Sequence, residues 1–205
     1  KSRDSDTKDW DAIFECLNTI KEEIQTNMPY KFLEVYGAEA DDIIAALCME
    51  YSEEILILSG DKDFIQLQRY PNVKQYSPIT KKMINGENPD RYIKEHVFKG
   101  DSSDGVPNVL SPDNTFVEGM RQRPLSKKKI AAWLDHDFMD VAPNEETKRN
   151  FQRNQKLIDL KNTPEELRVE ILEDFRDAPH GDRSKILNYF IQKRLKNLTE
   201  SIGEF

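Results

Sequence analysis

Apolar residues recur along this chain with two different periods. From Trp10 to Met28, Trp10, Ile13, Phe14, Leu17, Ile20 and Ile24 return at three- and four-residue steps, which predicts an amphipathic helix ended by Pro29. The strings KFLEVYG, AEADDIIAALCMEY and EEILILSGDKDF then read as strand, helix and strand, since the outer two are short and β-rich and the middle one is helical. That order predicts a βαβ unit with parallel strands and a right-handed crossover, and functional groups in such sheets gather at the carboxyl edge. NVKQYSP and KKMIN read as two short strands around a turn, and from Pro89 to Leu134 helical pieces alternate with Gly and Pro breaks. Thr163 as N-cap, Pro164 in the first turn and Glu166 as a capping-box acid start a helix that reaches Phe175. A last helix from Asp182 carries Ile186, Leu187, Phe190, Ile191, Leu195 and Leu198 as core positions. The fold class is therefore α/β, with a sheet part over residues 1–88 and a helical part over 89–205.

Composition narrows the function classes. A chain of 205 residues with 37% apolar side chains can bury a core. Its 30 Lys and Arg against 38 Asp and Glu leave a net charge of −8, an average field that repels polyanions. No apolar run approaches the roughly 20 residues of a membrane span, and KSRDSDTKDW is not a signal peptide, so the sequence predicts a soluble, cytoplasmic protein without a membrane partner. Cys16 and Cys48 each sit among apolar residues in a helical pattern, which predicts buried free thiols and no disulfide. With only three histidines, zinc is disfavoured. The chain opens at Lys1, within polar sequence and without Met, as a piece of a longer protein would.

Carboxylates stand where the predicted strands end. Glu39, Asp41 and Asp42 follow the first and Asp61 and Asp63 follow the second, so the βαβ geometry puts them on one edge. Each motif alone is ordinary helix-start or turn chemistry. Together they repel one another and must either take up protons or bind cations, and oxygen donors select Mg²⁺ or Mn²⁺. Asp101 and Asp104 lie in GDSSDGVP, where Gly and Pro let the chain turn back toward that edge. Downstream, Arg121, Arg123, Lys127, Lys128 and Lys129 form a local cationic stretch, either a solvated helix face or a set of phosphate contacts. An acidic two-ion centre beside a basic patch suits phosphodiester hydrolysis. Ser59, Ser102 and Ser103 have no His partner by motif and no Gly-x-x-x-x-Gly-Lys-Ser/Thr loop is present, which argues against a serine hydrolase and an NTPase.

In their order and spacing, YGAEADDIIA, ILSGDKDFIQL and FKGDSSDGVP resemble the 5′-nuclease superfamily of flap endonucleases and polymerase-associated 5′-exonucleases. YPNVKQYSP, SKKKIAAWL and LTESIGEF are closer still to the ribonuclease H branch of T-even bacteriophages. The resemblance implies the C-terminal part of a PIN-like parallel sheet flanked by helices, then an all-helical DNA-binding domain of helix-three-turn-helix type. It implies a monomer that removes RNA primers from RNA·DNA hybrids and cuts 5′ flaps on duplex DNA, with two Mg²⁺ ions, Mn²⁺ as substitute, and replication partners such as a sliding clamp or single-strand-binding protein. By motif, Glu39, Asp41 and Asp42 become metal or outer-shell acids, with Glu39 and Asp41 the surer pair. Asp61 and Asp63 lie between the ions, Asp101 and Asp104 complete the second site, and Lys127, Lys128 and Lys129 bind duplex phosphates. NVLSPDNTFVEGMRQR replaces the compact Gly-x-Gly hairpin of many relatives. The family's N-terminal strand with its Asp, a second upstream Asp and the basic arch have no counterpart in these residues, so the chain by itself is expected to bind metal loosely and cut poorly. Competing readings are a non-catalytic branched-DNA-binding module, a single-strand ribonuclease, and acids that serve only as caps and turns.

Overall fold

The computed structural model describes residues 8–205. Its elements fall into two compact units, one over Val35–Leu172 and one made of the described residues up to Glu34 with Glu173–Phe205.

In the Val35–Leu172 unit, helix α2 (Ala40–Glu50) precedes strand β1 (Ile55–Leu58), a 3-10 helix (Asp63–Arg69), strand β2 (Val73–Ser77) and strand β3 (Lys82–Ile84). β1 pairs parallel with β2 from Ile55↔Val73 to Leu58↔Tyr76, and β2 pairs antiparallel with β3, so the sheet is mixed and β1 lies at its edge. The predicted βαβ unit does not form. KFLEVYG is extended but joins no ladder, and the crossover between the parallel strands is the 3-10 helix, not α2. A β-rich string becomes a strand only beside a partner, and no described segment lies alongside this one. Val35 is instead buried against Ala46 of α2 and Ile171 of α7 (Glu165–Asp177). Under the sheet, Ala45, Cys48, Ile57, Phe64, Leu67 and Val73 form one core.

The helical part of this unit consists of α3 (Pro89–Lys99), α4 (Lys127–Leu134), α5 (Phe138–Val141) and α6 (Glu145–Ile158). α3 starts on Asn88, whose side chain accepts the Arg91 amide, with Pro89 in the first turn. Phe98, Trp133, Phe138 and Phe151 stack at centroid distances of 4.7–5.4 Å, an aromatic core that joins α3, α4, α5 and α6. Buried Asn150 and Asn154 on α6 donate to the carbonyls of Val109, Ser111, Val97 and Pro107, so the helix-free stretch after α3 has its backbone satisfied from inside.

The second unit holds α1 (Trp10–Asn27), α8 (Ile186–Gln192) and α9 (Lys196–Glu200). Glu23 of α1 accepts from Tyr189 at 2.8 Å and pairs with Lys193. Ile186 and Phe190 are fully buried, but the single helix predicted from Asp182 is broken, because Arg194 takes a positive φ of 56° between α8 and α9. Leu187, Ile191 and Leu198 of that predicted stripe are exposed. Cys48 is buried as expected, while Cys16 lies exposed on α1, whose apolar stripe Trp10, Ile13, Phe14, Leu17 and Ile20 is likewise exposed. Among the described residues no helix is long and apolar enough to cross a membrane.

Candidate active site

Local chain geometry fixes each acid. Glu39 and Asp42 form a capping box at the start of α2: Asp42 Oδ2 accepts the Glu39 amide at 3.1 Å while the Glu39 side chain accepts the Asp42 amide. The Thr163 hydroxyl, read from sequence as a helix cap, lies 2.9 Å from Asp42 Oδ1. Beyond β1, Asp61 Oδ1 accepts the Asp63 amide at 2.9 Å and Ser59 Oγ accepts the Asp61 amide at 3.1 Å, a turn that aims both aspartates out of the strand end. Fully buried Gln75 of β2 donates to the carbonyls of Ser59 and Asp61 and holds this turn from below. Asp101 is delivered by Gly100, with φ +68°, where a Cβ would come within 2.4 Å of the Val106 carbonyl oxygen. Its Oδ1 accepts the Ser103 amide at 2.8 Å.

These turns converge. Carboxylate oxygens of Asp41, Asp61 and Asp63 lie within 4.8 Å of one another, and so do donor atoms of Asp63, His96 and Asp101, with Asp63 common to both sets. Two adjoining clefts, of about 590 and 550 Å³, share Glu39, Asp41, Asp63, Asp101 and Asp104 as lining; Asp42 faces the first and Asp61 the second. All seven acids singled out in the sequence are thus brought to one place, although the strand expected before Glu39 is absent.

His96, on the last turn of α3, was not among the sequence candidates. Its Nε2 stands 3.2 Å from Asp101 Oδ2 and its Nδ1 3.4 Å from Asp63 Oδ1. The second approach is misaligned, so Nδ1 is buried with no hydrogen-bond partner among the described residues. The signal that could have found it is its place one helical turn before GDSSDGVP, but only the fold reveals that it faces Asp63. Gln75 and Gln66 were missed for the same reason.

Crowding shifts the acids. Asp41 is pushed up to about 6, first by burial and then by repulsion from Asp61, Asp63, Glu39 and Asp42. Burial also raises Asp63, against the pull of His96, with Asp61, Asp101 and Asp104 adding to the rise. Asp101 is itself pushed up by burial, but hydrogen bonds from Ser103 and Asp104 and the proximity of His96 outweigh that and hold it below the usual range. Tyr92, lining the second cleft, is raised by burial and by Asp63, Asp61 and Asp101. Such a cluster lowers its energy by binding protons or a cation. An all-oxygen set of Asp41, Asp61 and Asp63 fits a hard divalent ion, and the orphaned His96 nitrogen beside Asp63 and Asp101 fits a metal that also accepts imidazole, such as Mn²⁺.

The predicted cations lie elsewhere. Arg121 and Lys128 are exposed, Arg123 stands 3.6 Å from Glu146, and Lys129 lies over the Trp133 ring at 5.2 Å. Lys127 lines a separate hollow with Arg91 and Lys99, and none of the five borders the acidic clefts.

Comparison with known proteins gives this geometry its setting. The family model for the C-terminal domain of T4 RNase H matches residues 87–205, and the model for the N-terminal resolvase-like domain of 5′-3′ exonucleases matches residues 7–99. Over its whole length the chain is 34% identical to the ribonuclease H of enterobacteria phage T4, and it spans 70% of that protein. A 5′-3′ exonuclease of Buchnera aphidicola is 38% identical over 89 residues, 38% of this chain and 31% of the relative. Among solved structures, the T5 D15 protein co-crystallized with metal ions superposes with a TM-score of 0.56 over 86% of this chain and 75% of that one, at 17% identity, a likeness of fold. Two domain models that together match residues 7–205, and a relative 34% identical over the whole of this chain, place it in the 5′-nuclease family, in the branch that shares its C-terminal domain with T4 RNase H.

Proposed function

We propose that the protein containing this chain is a divalent-metal-dependent 5′-nuclease, a 5′-3′ exonuclease and flap endonuclease with ribonuclease H activity, acting in the cytoplasm on RNA primers in RNA·DNA hybrids and on 5′ DNA flaps during replication. The observation that carries this reading is the convergence of Glu39, Asp41, Asp42, Asp61, Asp63, Asp101 and Asp104 on two adjoining clefts. Residues 1–88 supply the PIN-like catalytic part, and 89–205 the helix-three-turn-helix part that grips duplex DNA through Arg121, Arg123, Lys127, Lys128 and Lys129. A sliding clamp or single-strand-binding protein is the class of partner such an enzyme takes.

Asp41, Asp61 and Asp63 would hold one Mg²⁺ or Mn²⁺ ion, and Asp63, His96 and Asp101 a second, with Asp104 at the cleft wall. Bound there, the ions supply Lewis-acid activation of water and of the phosphodiester. The protein's own work is positional. Gln75 fixes the Asp61–Asp63 turn, Gly100 allows Asp101 to reach the cleft, and the Glu39–Asp42 box sets the start of α2. His96 stands between Asp63 and Asp101, and its Nε2 lies 3.2 Å from the Asp101 carboxylate.

The test is cleavage of a 5′-labelled flap duplex and of an RNA·DNA hybrid in Mg²⁺, comparing the whole protein with its Asp63→Asn variant. Turnover by the whole protein that falls at least about 100-fold in Asp63→Asn, with DNA binding retained, is the expected result. Normal turnover in the variant would remove the acids from the chemistry, and binding without cutting by the unmutated protein would leave a recognition module.

A further inference from the structure

Helix α6 carries a second charged surface that the sequence reading passed over. Arg149, Gln152 and Lys156 recur at three- and four-residue steps on one face of it, and with Arg153, Gln155 and Asn162 they border a groove of about 610 Å³. Among the described residues no carboxylate lines this groove. Its three cations differ in how far the fold already uses them. Arg153 is mostly buried and spent on structure, with Nη2 donating to the Pro107 carbonyl at 2.8 Å, Nε to Asn154 at 2.9 Å and Nη1 paired with Asp113. Arg149 is exposed and meets Asp113 at 3.2 Å. Lys156 is exposed and forms no ion pair among the described residues.

The groove does not end blindly. Lys156 and Leu157 line both it and the acidic cleft that holds Glu39, Asp41, Asp63, Asp101 and Asp104. A polyanion approaching the acids directly is repelled, whereas one lying along α6 passes from Arg149 to Lys156 and reaches the cleft beside the one cation that lines it among the described residues. Arg149 and Lys156 are two helical turns apart, roughly 10.5 Å. At 3.4 Å of axial spacing per phosphate on one strand, that covers about three phosphates. Exposed Gln152 between them offers an amide that can donate to a phosphate oxygen without base preference.

We propose that this face of α6 is the track for the sugar–phosphate backbone of the strand being cut, with Arg149 and Lys156 as its phosphate contacts and Lys156 as the last contact before the acids. The proposal rests on the nuclease reading above and assigns a nucleic-acid surface separate from the Arg121–Lys129 stretch.

The experiment is equilibrium binding of a fluorescein-labelled 5′-flap duplex in EDTA, where no divalent ion supports cleavage, followed by anisotropy over a series of salt concentrations. Unmutated chain is compared with Lys156→Ala, Arg149→Ala and a triple Lys127→Ala, Lys128→Ala, Lys129→Ala variant. Both α6 residues are exposed, so the variants should keep the circular dichroism and melting of the parent, and Lys156→Met serves as a second variant that retains the aliphatic stem. Each α6 substitution should reduce the slope of log K against log salt by about 0.9 and weaken binding about 5- to 10-fold near 0.1 M salt. Slopes and affinities unchanged in Lys156→Ala, Lys156→Met and Arg149→Ala, with binding lost in the triple variant, would overturn the track and leave the nuclease reading standing. Absence of binding by the unmutated chain would overturn both.

Discussion

At Asp41 the physics of the site is concentrated in one carboxyl group. Its value of about 6 comes from burial and from four like charges, so the folded chain holds a proton there over a pH range in which an unfolded Asp, titrating near 3.9, has lost it. Between those two values the native state binds more protons than the unfolded one, and stability from this group is present below about pH 4 and lost as pH rises through 6. In EDTA the chain should therefore gain stability on going from pH 7.5 to pH 5 by about 1 kcal/mol more than an Asp41→Asn variant does, the full shift being discounted because the group is half open to solvent. Urea unfolding of the two proteins at both pH values measures it, and equal pH responses would show that Asp41 is not crowded in solution. Asp101 makes the contrast: burial pushes it up too, yet it lies below the usual range, because Ser103 and the Asp104 amide hydrogen-bond to it and His96 stands beside it. Hydrogen-bond donors, and not charge count alone, decide which acid of the cluster is protonated first.

Elements were legible to different depths, and the difference has a physical cause. Helices α1, α2 and α7 follow from periodicity and start signals that are written within the segment itself, α3 only as one of the helical pieces after Pro89, and β2 and β3 follow from a local turn between them. KFLEVYG failed as a strand because pairing depends on a neighbour distant in sequence, and the break at Arg194 was hidden because the apolar period runs straight through it. The acids of the site were readable as motifs, yet what holds them was not: Gln66, Gln75 and His96 are polar residues whose partners lie on other elements. Gln66 shows how much this matters. Buried on the 3-10 helix, its amide donates to the Ile158 carbonyl at 3.2 Å and its oxygen accepts the Leu160 amide at 3.0 Å, tying the end of α6 beneath the cleft. Gln66→Leu is nearly isosteric but leaves both backbone groups buried and unpaired, which should destabilise the chain by roughly 2–4 kcal/mol. Thermal unfolding of the variant tests this, and a loss under 0.5 kcal/mol (about the size of an ordinary surface change) would mean that water replaces the amide.

At the scale of the whole molecule, the net charge of −8 pointed away from nucleic acid, and the distribution of charge reverses that inference. The acids are gathered at the clefts, while cations lie along α6 and around the start of α4, so a divalent ion would convert a repulsive centre into one that attracts phosphate. The same gathering couples metal to stability, since the unfolded chain scatters the acids and binds the ion weakly. Mn²⁺ or Mg²⁺ at about 100 times its dissociation constant should raise stability by roughly 2.7 kcal/mol for each equivalent site, whereas NaCl at matched ionic strength should give far less, because screening weakens repulsion without bridging the carboxylates. Asp63 belongs to both donor sets, so Asp63→Asn should remove most of the metal-induced rise in melting temperature, while Asp104→Asn, outside the closest sets, should remove less. Scanning calorimetry with and without metal distinguishes these cases. A rise of equal size in the parent and in Asp63→Asn would mean that the ion binds elsewhere, and that the convergence of acids is held together by its hydrogen bonds alone.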